Sequence, residues 1–424
     1  MALTLLFLVV IALVVLQVPI SIALGLAAIV TALFTSVTPV QVLLIQMSTT
    51  GVSFVLLAIP LFIFAGFLMA RGGIAEDLVA LAELPVQRVR GGLGMSIVVA
   101  CMFFSGITGA KVAEVAAISS TTIPSLRRRG YDAAYATAII AAASAAGELI
   151  PPAINTIVLG QIMSLSITKL FIAGVLPAIV LALFTLVVVA FTAPRRKDKS
   201  QRIDPAAARK ALKGGFLALG MPLIIFGGIL GGVFSPTEAA AVSVLYALII
   251  VVGFYRRLGV RQIVEIACDA GIVGGALMLL IMTASGFANI ITVERIPYLF
   301  ADWLRHVSTD PRFVLLMTAG IFFVLGSVLE GLPALIIFVP VLTPYALSSG
   351  IDPIHFAIVV IGSVGVGLFL PPAGIGFVTA CSVGEVTIPA VTKRYGLFVL
   401  GLVAGLVLLV FVPWFSLALA QFIR

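Results

Sequence analysis

Apolar residues run through this chain in blocks, and polar residues fall mostly between them. Continuous apolar runs lie at about 2–18, 20–36, 51–70, 168–193, 214–233, 237–255, 271–290 and 395–420. A helix of about 20 apolar residues matches the hydrocarbon thickness of a bilayer, so each run predicts a transmembrane helix. Two stretches, 92–126 and 312–347, are too long for one span and too short for two full ones. Each has a polar, glycine-containing middle, "SGITGAK" in one and "GSVLEGLP" in the other. That pattern predicts re-entrant hairpins, two half-helices meeting at a tip inside the membrane. Two more stretches, 132–163 and 352–383, are long spans interrupted by "GELIPPA" and "GLFLPPA". Paired prolines remove backbone donors and break the helix there.

The interruptions recur at a constant offset of 220 residues. Pro151, Pro152 and Ala153 match Pro371, Pro372 and Ala373; Gly147 matches Gly367; Asp132 matches Asp352; Gly106 matches Gly326. A PPA triplet and a G-x-D pair in one register point to a duplicated unit. The predicted halves are 1–194 and 214–424, joined by a basic linker at 195–213.

Composition sets the class. The 424 residues are 62% hydrophobic and 10% charged, against roughly half and a quarter in a soluble domain. The chain is therefore read as an all-α polytopic membrane protein. A β-barrel would need short alternating segments, and these runs are solidly apolar. Two histidines and three scattered cysteines (Cys101, Cys268, Cys381) give no metal or haem spacing and no disulfide framework. No cofactor is expected. The N-terminal run lacks a basic leader and an A-x-A site, and is read as a retained span.

The net charge of +8 is explained by basic loops rather than by a nucleic-acid partner. Nineteen Lys/Arg fall in one set of loops and five in the other set and the termini. Cationic loops stay cytoplasmic, which places both termini outside. Each half then crosses five times, so the second half is inverted relative to the first. Inverted repeats with broken helices are the plan of secondary transporters. Backbone freed at a break is tolerated at membrane depth only where it lines a cavity.

The chain resembles the large membrane subunit of the tripartite ATP-independent periplasmic (TRAP) transporters, the DctM type, nearly end to end. The resemblance is carried by "IPLFIFAGFLMARGGI" (59–74), "SGITGAKVAEVAAI" (105–118), "RRGYDAAYA" (128–136), "GELIPPAI" (147–154), "GGILGGVFSPTEAAA" (227–241), "GIDPIHFAIV" (350–359) and "GLFLPPAGIGFVTAC" (367–381). It implies a bacterial inner-membrane protein with an elevator mechanism driven by a sodium gradient. It also implies a separate small four-helix membrane subunit and a periplasmic binding protein that delivers an organic acid. The amphipathic "AEDLVALAEL" (75–84) and "VERIPYLFADWL" (293–304) are expected to lie along the interface and bridge scaffold to moving domain.

The family's ion and substrate sites lie between hairpin tips and helix breaks. Carried over by motif, the first cluster is Ser105, Gly106, Thr108 and Gly109 with Gly147, Ile150 and Pro151. The second is Gly326, Ser327 and Glu330 with Gly365, Gly367 and Pro371. Close helix packing is the competing reading for each glycine. Four residues depart from the family pattern: Lys111, Glu148, Glu330 and Leu370. Leu370 removes a hydroxyl from the second ion site. Glu238, Asp132 and Asp352 are read as helix caps, and Trp303, Tyr298 and Trp414 as interfacial anchors.

Lys111 poses the main question, because a charge facing lipid is strongly disfavoured. Glu148 departs from the pattern with it and maps to the same cluster, so the expected partner is Glu148. Glu114, three residues away on one helical face, is the alternative. A third reading lets the lysine snorkel into a water-filled cavity or meet the anionic substrate. A self-sufficient elevator symporter for an anion would show the same repeats. An enzyme or a passive channel is disfavoured, since no catalytic constellation and no continuous polar stripe is visible. No nucleotide-binding GxxxxGK[ST] loop is present.

Overall fold

The computed structural model describes residues 2–86, 89, 91–108, 111–128, 130–193, 205–306 and 308–422. The described residues form helices and short turns. The chain opens with α1 (Ala2–Val15), α2 (Ile20–Thr35), α3 (Val40–Gly51), α4 (Ala58–Arg71) and α5 (Ile74–Val86). A first helical hairpin follows, α6 (Gly92–Thr108) and α7 (Lys111–Arg128). Next come α8 (Ala133–Ala146), a 3₁₀ turn at Gly147–Leu149, α9 (Ile154–Met163) and α10 (Ile167–Thr192). Gly109 and linker residues 195–204 lie outside the described residues, as do the side chains of Thr108 and Trp303.

The remaining elements are α11 (Pro205–Leu230), α12 (Pro236–Leu248), α13 (Val260–Val293) and α14 (Ile296–Arg305). The second hairpin is α15 (Pro311–Val328) and α16 (Gly331–Ser348). It is followed by α17 (Pro353–Gly367), α18 (Ile375–Val383), α19 (Ile388–Phe411) and α20 (Trp414–Leu417). Among the described residues, nine helices are long and apolar enough to cross a membrane by length and composition.

The breaks arise where the sequence reading put them. α8 ends before Pro151 and α17 before Pro371, and the peptide bond joining the paired prolines is cis in both. The element bounds follow the 220-residue offset: Lys111–Arg128 corresponds to Gly331–Ser348. The hairpin limbs are longer than half-helices. Each of α15 and α16 has 18 residues, reaching about 27 Å at 1.5 Å per residue.

Several ends are fixed by the expected caps. The Asp132 carboxylate accepts from the Ala134 amide, and that of Asp352 from the amides of Ile354 and His355. Glu238 and Ser235 form a reciprocal capping box at the start of α12. Tyr298 and Trp414 are exposed.

The centre of the molecule is built from α8 and α17. Every residue from Ala134 to Ala146 and from His355 to Gly367 is buried. Small residues at Ala136, Ala138, Ala141 to Ala143, Gly362 and Gly365 let neighbouring backbones approach closely. α8 packs on α6, α7, α10 and α19, and α17 on α15, α10 and α19. The halves interlock: α16 of the second hairpin packs on α9, and α18 packs on α7 of the first. Around this body lie α2, α3 and α4, all packed on α13.

Candidate functional site

The tip of the first hairpin is pressed onto the first helix break. A Cβ on Gly106 would lie 3.0 Å from the Pro151 carbonyl oxygen and 3.2 Å from Ile150 Cγ2. One on Gly147 would lie 2.6 Å from Ser105 Oγ. Both glycines therefore serve close approach, and that approach places polar groups beside freed backbone. Ser105 Oγ donates to the Gly147 carbonyl at 2.7 Å. Ser105, Gly106, Gly147, Ile150 and Pro151 thus come together as one cluster.

Lys111 is the first residue of α7 and its side chain is 8% exposed. A cation there has the wrong sign for the helix dipole and is poorly hydrated. Its surroundings compensate. Nζ lies 2.9 Å from Glu114 Oε2 and 3.9 Å from Glu148 Oε2, and donates to Ser105 Oγ. Glu114, not Glu148, is the nearer carboxylate, because the i,i+3 spacing puts it over the same helical turn. Glu148 completes the group from the 3₁₀ turn beyond α8. Asn155, on α9, donates from Nδ2 to Glu148 Oε1 at 2.8 Å. Glu114 Oε1 and Glu148 Oε2 are buried without a hydrogen-bond partner among the described residues.

The second tip meets the second break in the same manner, with Gly331, Ala334 and Leu368 at the positions of Lys111, Glu114 and Glu148. A Cβ on Gly326 would lie 2.7 Å from the Val364 carbonyl oxygen, and one on Gly367 2.2 Å from that of Phe323. Ser327 Oγ instead donates to Val324 within its own helix, at 2.8 Å. Glu330 occupies the N-cap position of α16 with φ +62°, makes no side-chain cap hydrogen bond, and is exposed. Pro371 is half-buried. Gly365 lies elsewhere than the sequence grouping suggested: a Cβ on it would be 2.5 Å from Glu148 Cβ. It joins the two clusters.

Between the clusters lies a cavity of about 170 Å³. Lys111, Glu148 and Asn155 line one side, Glu330 and Gly331 another, and Val273, Leu277 and Leu280 of α13 a third. Asn155 was not singled out from the sequence. Its signal was a lone amide just after "PPAI", where the residue 220 positions on is Ile375.

Helical hairpins closed onto broken helices around a polar cavity define a membrane permease. The chain belongs to the family described as tripartite ATP-independent periplasmic transporter, DctM component, whose model matches residues 7–415. It is 34% identical over 406 residues to the C4-dicarboxylate TRAP transporter large permease protein DctM of Pseudomonas aeruginosa, covering 95% of this chain and 94% of that protein. It is 32% identical over 373 residues to the sialic acid TRAP transporter large permease protein SiaM of Vibrio cholerae, covering 87% of each. The structure of the YdaH transporter of Alcanivorax borkumensis superposes with a TM-score of 0.56 at 16% identity, covering 87% of this chain and 86% of that one. That last likeness is one of fold. The protein is thus a multi-pass inner-membrane permease subunit, and its family is one of transporters rather than enzymes.

Proposed function

We propose that this subunit carries a small organic acid into the cytoplasm by an elevator movement coupled to a sodium gradient. A small four-helix membrane subunit completes the scaffold, and a periplasmic binding protein delivers the acid. The observation that carries this reading is the position of the cavity. Its polar walls belong to hairpin tips and helix breaks, and its apolar wall belongs to α13. An elevator requires a substrate site on such a boundary, so that one wall can slide past the other.

Charge supports cation coupling. Around the cavity stand one ammonium, Lys111, and three carboxylates, Glu114, Glu148 and Glu330. An anion entering that field needs accompanying cations, because unlike charges in a poorly hydrated site must balance. At the second cluster Glu330, on the cavity wall, offers carboxylate oxygens of the kind that hard cations take. Size narrows the substrate. Relatives are named for C4-dicarboxylate, isethionate and sialic acid. A cavity near 170 Å³ is comparable to one of about 150 Å³ that holds benzene, which favours the smaller acids. The inverted repeats 1–194 and 214–424 supply the two arrangements that alternating access needs.

The test is uptake in proteoliposomes holding both membrane subunits and the binding protein. Uptake should require an inward sodium gradient and the binding protein, and should need no ATP. Uptake that persists without any binding protein would instead establish the self-sufficient symporter. A disulfide between Leu277→Cys and Leu332→Cys, which line opposite walls of the cavity, should abolish turnover. Normal turnover with that crosslink complete would sink the elevator.

A further inference from the structure

We infer that the Lys111 ammonium is a tethered cation filling the oxygen cage between the first hairpin tip and the first helix break. The cage then takes up no mobile cation, and the transporter couples fewer sodium ions than its duplicated plan would allow. This rests on the sodium-coupled reading above.

The donor set is the first ground. Around Nζ stand Ser105 Oγ, Glu114 Oε2 at 2.9 Å and Glu148 Oε2 at 3.9 Å. The Gly147 carbonyl is tied into the same group through Ser105. Hydroxyl, carboxylate and backbone carbonyl oxygens are the ligands that hard cations take. Carbonyls at the end of α8 also present the negative pole of a helix. A cation belongs here, and the ammonium is one.

The second ground is lack of room. A Cβ on Gly147 would sit 3.4 Å from Nζ and 2.6 Å from Ser105 Oγ. The space beside the broken backbone is already spent on the lysine head. The side chain borders the cavity but is only 8% exposed, and its Nζ donates to Ser105 and Glu114.

The second repeat is an internal control. At the offset of 220 residues, Lys111, Glu114 and Glu148 correspond to Gly331, Ala334 and Leu368. Ammonium and both carboxylates are present together in one half and absent together from the other. A lysine recruited only to attract substrate would not need two buried carboxylates, which cancel its charge. A lysine that replaces an ion does, because they are the ligands it inherits.

The test compares thermal unfolding of the intact two-subunit complex in sodium and in choline chloride at constant ionic strength. Lys111→Ser removes the ammonium and leaves the cage. It should be strongly destabilised in choline and should show a sodium-specific rise in Tm several degrees larger than that of the wild type, as an additional ligand of the native state confers. The triple variant Lys111→Gly/Glu114→Ala/Glu148→Leu, which copies the second half, should lose that increment. A sodium series for Lys111→Ser that superimposes on wild type overturns the inference. Should Lys111→Ser not fold, the sodium dependence of wild-type uptake decides: a Hill slope of about one is expected, and two or more overturns it. A sodium increment in Lys111→Ser without any sodium-driven uptake would uphold the tethered cation and reject sodium coupling instead.

Discussion

Lys111→Ala should lower the Tm of the complex by several degrees or prevent its accumulation, and should abolish uptake. Removing the ammonium leaves Glu114, fully buried, and Glu148, 3% exposed, facing each other without compensation. Breaking a buried pair from one side typically costs about 3–5 kcal/mol. Glu114→Ala should be comparably harmful, since it frees a lysine buried at a helix N-terminus. The double variant Lys111→Ala/Glu114→Ala should recover part of the loss, with a coupling of roughly 0.5–3 kcal/mol. Coupling of Lys111 to Glu148 should be smaller, because that separation is 3.9 Å rather than 2.9 Å. Thermal unfolding of the four proteins in each cycle measures both terms. Strict additivity would mean that the three groups do not act as a unit.

Gly367→Ala is expected to dislodge the second hairpin and reduce uptake by tenfold or more. Its Cβ would lie 2.2 Å from the Phe323 carbonyl oxygen and 3.2 Å from Gly326 Cα. Both are backbone atoms, so no side chain can swing aside, and α15 must shift bodily from α17. Overpacking of this kind costs about 1–3 kcal/mol. Gly320→Ala, on α15, meets nothing within 4 Å and should fall within about 0.5 kcal/mol of wild type. Equal stability and equal uptake in the two variants would show that the tip-to-break contact does not matter.

Much of this arrangement is legible in the sequence where hydropathy and breakers act locally. Paired prolines end α8 and α17, and glycine-rich polar centres mark both hairpin turns. Other features escaped because their cause is tertiary. α3 (Val40–Gly51) was not foreseen; its Gln46, Ser48, Thr49 and Thr50 dilute the apolar run, and its helix is held by packing on α13. α13 itself runs over 34 residues from Val260, whereas the apolar run begins near 271. Arg261, Glu265 and Asp269 hide the earlier turns from a hydropathy reading, although nothing there breaks a helix. Arg209, Lys210 and Lys213 make the sequence reading start α11 at 214, yet the helix continues back to Pro205.

At the site, the sequence brought Lys111 and Glu148 into one cluster through the resemblance and the repeat register. It ranked Glu148 above Glu114, the reverse of the distances of 3.9 Å and 2.9 Å, because the order depends on how deeply the tip sits on the break. It could not move Gly365 from the second cluster onto Glu148, a contact made between halves of the chain.

The polarity of α7 also bears on how the protein is made. Beside Lys111 and Glu114 it carries Ser119, Ser120, Thr121, Thr122, Arg127 and Arg128, and it is not among the helices apolar enough to cross a membrane. Such a segment has no reason to leave the translocation channel for lipid by itself. Its second carboxylate, Glu148, and the carbonyl at Gly147 emerge from the ribosome only after α8. The first hairpin must therefore wait, half-made, at the edge of the bilayer until the following helix arrives to shelter it. A nascent chain stalled before Ala133 should leave Lys111 open to amine-reactive reagents, and one stalled after Thr192 should protect it.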